Sequence, residues 1–216
     1  MPTRQVVLWR HGRTAWNVAG RVQGSTDIPL DDIGRAQARE AAERLALLRP
    51  TRILSSDLSR ARETAGVLGD LVGLDVEVEP RFREMHFGVR EGLTWEEAWE
   101  RYPDGMRAWV EGDETQIPDS ETHEAAGTRF AAGLRDRLAD DRDDQVVVVV
   151  AHGGVIRAGA CSFMGFPLEL WHTFGGLNNC SWSVLEETSH EDWIRWRITE
   201  WNSGTIPLPV LSDDDE

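Results

Sequence analysis

The order of strand-like and helix-like segments predicts an α/β protein: three layers, α/β/α, around a mainly parallel central sheet, with an inserted helical lid. Five consecutive valines, Val146 to Val150, form an apolar run without alternation, the pattern of a parallel strand buried on both faces. Segments with helical periodicity separate this run from other short apolar runs, which implies parallel strands joined by right-handed crossovers. The 216 residues, 40% of them apolar, are enough to bury one sizeable core. We therefore read one domain over residues 1–211, with a lid at about 91–122, followed by an acidic disordered tail at 212–216.

Val6 to Trp9 opens the chain as a buried strand, and Gln145 to Ala151 is its counterpart. Asp31 or Asp32 can cap a helix whose apolar positions Ile33, Ala41, Leu45 and Leu48 repeat at helical spacing and stop before Pro50. Arg52 to Ser55 reads as a short strand. Ser56 or Asp57 then opens a second helix running to about Leu71, closed by Gly73, and Val76 to Glu79 is a further short strand.

From Glu91 to Thr122 the alternation breaks into a polar stretch rich in Trp and Glu and punctuated by Pro103, Gly105, Gly112 and Pro118. Thr94 and Glu97 have capping-box spacing for a short helix inside it. The expectation is an open, acidic lid over the strand ends, with a long helix from Ser120 to Asp140 returning the chain to the sheet. After the apolar stretch Val155 to Phe163 come two strands, Ser181 to Glu186 and Trp193 to Glu200, separated by a solvated turn holding His190.

Composition excludes several functions. All 23 basic residues are Arg and none is Lys, which rules out Schiff-base chemistry and a P-loop lysine. A net charge of −15 argues against nucleic acid or an anionic membrane as partner. No apolar run is long enough to cross a bilayer and no N-terminal signal pattern is evident, so a cytoplasmic protein is expected. Cys161 and Cys180 have neither metal spacing nor a disulfide framework and read as buried thiols.

Against that acidic background, Arg10-His11-Gly12-Arg13-Thr14 places an imidazole between guanidinium groups just past a buried strand. Ligands in parallel sheets bind beyond the carboxyl ends of strands, where both this segment and His152-Gly153-Gly154 fall. Such a site suits an anion, and phosphate most of all. Phosphoryl transfer rests on positioning and charge stabilisation, and without a metal the charge must come from Arg and His. Arg10, Arg60 and His152 are the candidate cradle. His11 is the candidate nucleophile, kept neutral by the neighbouring guanidinium groups. Glu84 is the candidate acid that protonates the leaving oxygen and later activates water. No helical His–carboxylate ligand pair occurs, and the Arg neighbours would repel a cation, so neither a metal nor another cofactor is expected.

Arg10-His11-Gly12-Arg13-Thr14, Ser55 to Ala65, Arg83-Glu84-Met85-His86-Phe87-Gly88 and Ala151-His152-Gly153-Gly154 together resemble the histidine phosphatase superfamily, also called phosphoglycerate mutase-like. The four motifs stand in that family's order and span roughly residues 4 to 160. The resemblance implies a phosphorylated His11, a cradle of Arg10, Arg60 and His152, and Glu84 as proton donor. It further implies substrate or phosphate contacts from Thr14, Asn17 and Gln23, and Gly153 is a further candidate because the Gly-Gly pair can open a helix whose start binds anions. The family's arginine precedes an alanine on its helix, which selects Arg60 over Arg62. Where many members have Pro-Gly-Gly-Glu-Ser, this chain has Pro118-Asp119-Ser120-Glu121-Thr122, a stiffer backbone on the lid side. Phe174 to Trp182, Ile194 to Arg197 and Trp201-Asn202 are similar to a branch of the superfamily that acts on glucosyl-3-phosphoglycerate.

The expected function is therefore metal-independent hydrolysis of a small phosphorylated metabolite through a phosphohistidine, and the narrower resemblance implies glucosyl-3-phosphoglycerate or a related metabolite as substrate. Two alternatives are mutase-type transfer, disfavoured by the short acidic lid, and an inactive member that binds a phospholigand or a protein. His86, His123, His172 and His190 lack partner patterns and are assigned structural roles. Of the ten tryptophans, Trp95, Trp99 and Trp109 are placed to touch substrate. Trp182, Trp193, Trp196 and Trp201 suit core packing or a homodimer interface.

Overall fold

The computed structural model describes residues 4–139, 145–190 and 193–204. Six strands, β1 (Gln5–Arg10), β2 (Arg52–Ser55), β3 (Val76–Val78), β4 (Val146–Ala151), β5 (Trp182–His190) and β6 (Trp193–Ser203), form one sheet in the order β3-β2-β4-β1-β5-β6. The four strands from β3 to β1 run parallel, and β5 and β6 add an antiparallel edge.

Alternate side chains of one strand feed two different cores, which accounts for the unbroken valine run. Val147 and Val149 join Val6, Leu8, Phe82, Phe130 and Leu134 on one face. Val148 and Val150 join Val7, Trp9, Ile53, Ala42 and Leu68 on the other. The first face is covered by α6 (His123–Leu138) and α7 (Gly153–Met164), the second by α2 (Asp32–Ala46) and α3 (Ser59–Val72). A single turn, α1 (Ala15–Val18), follows β1.

Several boundaries depart from expectation for local reasons. Asp31 caps α2 by accepting from the Gly34 amide, but the buried stripe is Gly34, Ala38, Ala41, Ala42 and Leu45. Gly34 lies so close to the Arg13 backbone that a Cβ would stand 2.0 Å from its carbonyl oxygen, and this contact fixes the helix rotation. Ile33 is consequently 49% exposed, and Leu48 lies past the helix end. Neither Ser56 nor Asp57 opens α3, whose N-cap is Leu58. Ser56 turns to His152 instead, and Asp57 pairs with Arg83. Gly73 does close α3, at φ 74°. Thr122, not Ser120, caps α6. His190 belongs to β5, paired with Trp193, rather than to a turn. Asp140 and the tail at 212–216 lie outside the described residues.

The lid segment holds α4 (Trp95–Arg101), opened by the expected Thr94–Glu97 capping box, and α5 (Pro103–Val110). It is not the open acidic flap its composition implies. Leu93, Ala98, Met106 and Ile117 form a small core of their own, ringed by Trp95, Trp99, Tyr102 and Trp109. Glu100, Asp104, Glu111 and Asp113 face outward. Among the described residues, no helix is long and apolar enough to cross a membrane.

Candidate active site

Strand register builds the centre of the site. Arg10 pairs with Ala151, so β1 and β4 end level, and the next residues, His11 and His152, stand side by side with ring centroids 5.1 Å apart. The segment before β5 locks this corner: Asn179 Nδ2 and the Cys180 amide both donate to the His11 carbonyl oxygen, at 3.1 and 3.2 Å. Arg10 Nη1 donates to the Leu177 carbonyl oxygen.

His11 is 2% exposed, and its Nδ1 lies 2.7 Å from the Gly12 carbonyl oxygen. A carbonyl can only accept, so Nδ1 carries the hydrogen and Nε2 keeps its lone pair. Burial, then Arg60, then Arg10 push the imidazole well below its ordinary pKa, which keeps the ring neutral. His152 is fully buried and shifted the same way, by burial first and Arg60 second. Its Nδ1 accepts from Arg60 Nε at 3.2 Å, leaving Nε2–H to donate to Ser56 Oγ at 2.8 Å.

Arg60 reaches the site from the first turn of α3 and is fully buried, whereas Arg62 is exposed. Besides His152, it donates to the Thr26 and Gly24 carbonyl oxygens at 2.7 and 2.8 Å. Burial lowers its pKa to about 10, so it remains charged at neutral pH. Arg13 points away, paired with Asp31 at 2.9 Å.

Glu84 closes the other side, 8% exposed, against the start of α7. Its Oε1 accepts from the Met85 and Val155 amides at 2.9 and 2.8 Å, and its Oε2 accepts from Gly154 at 3.1 Å. A carboxylate has about four lone-pair sites, so one on Oε2 is left for a proton. The open amides at this helix N-terminus are thus met by a carboxyl side chain of the protein itself. Arg129 from α6 fixes the segment by donating to the Arg81, Arg83 and Glu84 carbonyls, and is itself gripped by Glu121 at 2.7 and 2.8 Å. Asp119 takes φ 58° in place of an expected glycine, so the departure at 118–122 keeps the bend and supports the acid from behind.

Arg10, His11, Arg60, Glu84, Gln23 and Gly153 share the wall of one cleft, with an empty volume of about 890 Å³ including its open mouth. Thr14, Asn17 and His152 stand behind that wall. Thr14 and Asn17 form a capping box, and Thr14 Oγ1 donates to Gln23 Oε1 at 2.9 Å. Trp95 and Trp109 line the cleft while Trp99 does not. Trp196 and Trp201 pack on the core.

Sequence reasoning missed Arg90, Met106, His123, Arg157 and Gly176, all on the same wall. His123, read as structural, is held by Glu114 through Nδ1 and accepts from Arg157 Nη2 at 3.0 Å. The one available signal was Arg90, a cation three residues after Phe87, at the end of the short stretch Phe87-Gly88-Val89. Among the described residues no group of three or more His, Cys, Asp or Glu could hold a metal ion.

The model of the histidine phosphatase superfamily (branch 1) matches residues 6–204. A glucosyl-3-phosphoglycerate phosphatase of Mycobacterium tuberculosis is 39% identical over 98% of this chain and 100% of its own length. The structure of a mycobacterial glucosyl-3-phosphoglycerate phosphatase in complex with VO3 superposes with a TM-score of 0.84 at 38% identity, covering 93% of this chain and 100% of that one. A probable phosphoglycerate mutase of Enterobacter is 35% identical over 84% of each chain.

Proposed function

The chain belongs to the histidine phosphatase superfamily, and we propose that it is a phosphatase that hydrolyses a small phosphorylated metabolite in two steps through a phosphorylated His11. The observation that carries this reading is the neutral, oriented imidazole: Nδ1–H tied to the Gly12 carbonyl, Nε2 left with its lone pair beside Arg10 and Arg60. Nε2 attacks phosphorus, the bond to the ester oxygen breaks, and the proton on Glu84 Oε2 passes to the departing alkoxide. Water then attacks the phosphohistidine, returns a proton to Glu84 and releases inorganic phosphate. Arg10 and Arg60 carry the charge of the transferring group, since a planar fork donates two bonds to a phosphate.

His152 has both ring nitrogens engaged, so its role is to orient Arg60 and to pack against His11. Thr14 and Asn17 set Gln23, which reaches the cleft itself. Gly153 brings the start of α7 alongside Arg10, where a Cβ would lie in ordinary contact with the guanidinium carbon at 3.4 Å.

The mycobacterial relatives support glucosyl-3-phosphoglycerate as the substrate, over mutase-type transfer. The inward wall of the lid is apolar and cationic, so acidity of the lid no longer argues against a mutase. Two buried free thiols, Cys161 and Cys180, support a cytoplasmic setting. The test is hydrolysis of glucosyl-3-phosphoglycerate and a panel of sugar and amino-acid phosphates, followed as phosphate release and as acid-labile label on His11. Faster transfer to a second phosphoglycerate position than release of phosphate would replace this reading with the mutase.

A further inference from the structure

Arg90 is a buried cation that the chemistry above does not use. It is 5% exposed and stands on the cleft wall with His11 and Arg60. Its Nε has no hydrogen-bond partner, and among the described residues no carboxylate lies within ion-pair distance of it. Glu114 acts on it from farther away but is itself turned to His123, accepting from that residue's amide at 2.7 Å and from its ring. A buried, unpaired guanidinium is costly and requires a counter-charge from somewhere.

The surroundings specify what kind. The guanidinium carbon lies 4.8 Å from the Trp109 ring centroid and 5.2 Å from that of Phe87, cation–π contacts that use the ring faces and leave Nε–H without a hydrogen-bond acceptor. A planar carboxylate meets a guanidinium edge with two parallel hydrogen bonds, and one negative charge balances one positive charge. Arg157, on the same wall and bonded to His123, adds positive potential to that end of the cleft.

We propose that Arg90 binds a carboxylate on the organic half of the substrate, so that the enzyme selects phosphomonoesters carrying a second, carboxylate anion. The proposal rests on the cleft being the phosphatase site. It assigns the phosphate to the strand ends and the carboxylate to the lid wall, two anions held apart by one cavity.

Two isosteric pairs test it: 3-phosphoglycerate against glycerol 3-phosphate, and 6-phosphogluconate against glucitol 6-phosphate, each differing by a carboxylate in place of a hydroxymethyl group. In at least one pair the wild type favours the carboxylate in kcat/KM by roughly 10- to 100-fold, and Arg90→Met lowers the carboxylate partner's kcat/KM by that much more than the hydroxymethyl partner's, so that the preference is lost. Arg90→Lys, which keeps the charge without the fork, falls between. Calorimetric binding of the same compounds to His11→Ala protein reads the preference without turnover, so a chain that hydrolyses nothing still answers. No preference in either pair, a parallel fall for both partners in Arg90→Met, or tighter binding of a bisphosphate than of either carboxylate overturns the proposal. Loss of His11-dependent hydrolysis with the binding preference intact would instead overturn the phosphatase reading alone. Should Arg90→Met fail to fold, the wild-type pairs and Arg90→Lys decide.

Discussion

The floor of the cleft and its lid wall each contain a fully or nearly buried arginine, and the protein treats the two oppositely. Arg60 on the floor spends its guanidinium on His152, Thr26 and Gly24, so it is fixed before any ligand arrives. Arg90 on the wall lies over the Trp109 and Phe87 rings with its Nε unbonded. On the proposed mechanism the difference separates two tasks. Preorganised donors lower the barrier to phosphoryl transfer because they need not rearrange as charge develops. An unsatisfied cation discriminates, because its desolvation is repaid only by a ligand with the matching group.

The sharpest way to break this division is His11→Ala. It should reduce turnover by about 10⁴-fold or more on every phosphomonoester alike, since on the proposed mechanism it removes the attacking atom. Near-normal turnover measured as phosphate release would end the phosphohistidine mechanism. Next in size, Glu84→Gln should slow alkyl phosphates by about 10²- to 10⁴-fold and p-nitrophenyl phosphate far less, because a nitrophenolate leaves without a proton. Equal losses on both would move the acid elsewhere, and thermal melting distinguishes this from a collapsed α7 start, where Glu84 receives the Gly154 and Val155 amides.

The floor was legible in the sequence and the wall was not, for a physical reason. Residues fixed by strand ends carry local signals: Arg10-His11 and His152-Gly153 each follow a buried apolar run, and equal strand ends bring them together. The five valines likewise announced a doubly buried strand. Arg90, His123 and Arg157 sit on a 3-10 turn and on two separate helices, and only tertiary packing aims them at one space. The same blindness misread the lid. Its composition is acidic, but the acids lie outside while Leu93, Met106 and Ile117 close inward. Ile33 failed in the other direction, because backbone contact at Gly34, not hydrophobicity, sets the rotation of α2.

A third prediction concerns protons on the floor. His11 and His152 are held neutral in the folded protein by burial and then by Arg60, whereas in the unfolded chain each takes up a proton near pH 6.5. Below that pH the unfolded state binds more protons, so stability must fall as the pH drops, with a limiting slope of about 1.4 kcal/mol per pH unit per imidazole. Glu79, at about 2, keeps its ion pairs throughout this window and does not contribute. Melting temperatures should therefore decline between pH 7 and pH 5, and the decline should be shallower in His11→Gln. The acid limb of the rate should correspondingly lie below pH 6.5. A flat melting profile would mean that the two rings gain protons in the fold and that His11 is not poised for attack.

The smallest expected effect tests whether the wall acts on binding alone. Trp109 is only half-buried and its ring meets the Arg90 guanidinium in a cation–π contact of about 0.5 to 2 kcal/mol. Trp109→Leu keeps the apolar wall but frees the guanidinium, so KM for a carboxylate-bearing phosphomonoester should rise by about 2- to 30-fold. Because Trp109 belongs to the small core of the lid and meets Arg90, kcat should stay within about twofold, as expected when uniform binding is lost. A fall in kcat with unchanged KM would show that the wall reaches into the transition state. The two halves of the cleft would then be coupled, and the separation between chemistry on the strand ends and recognition on the lid would fail.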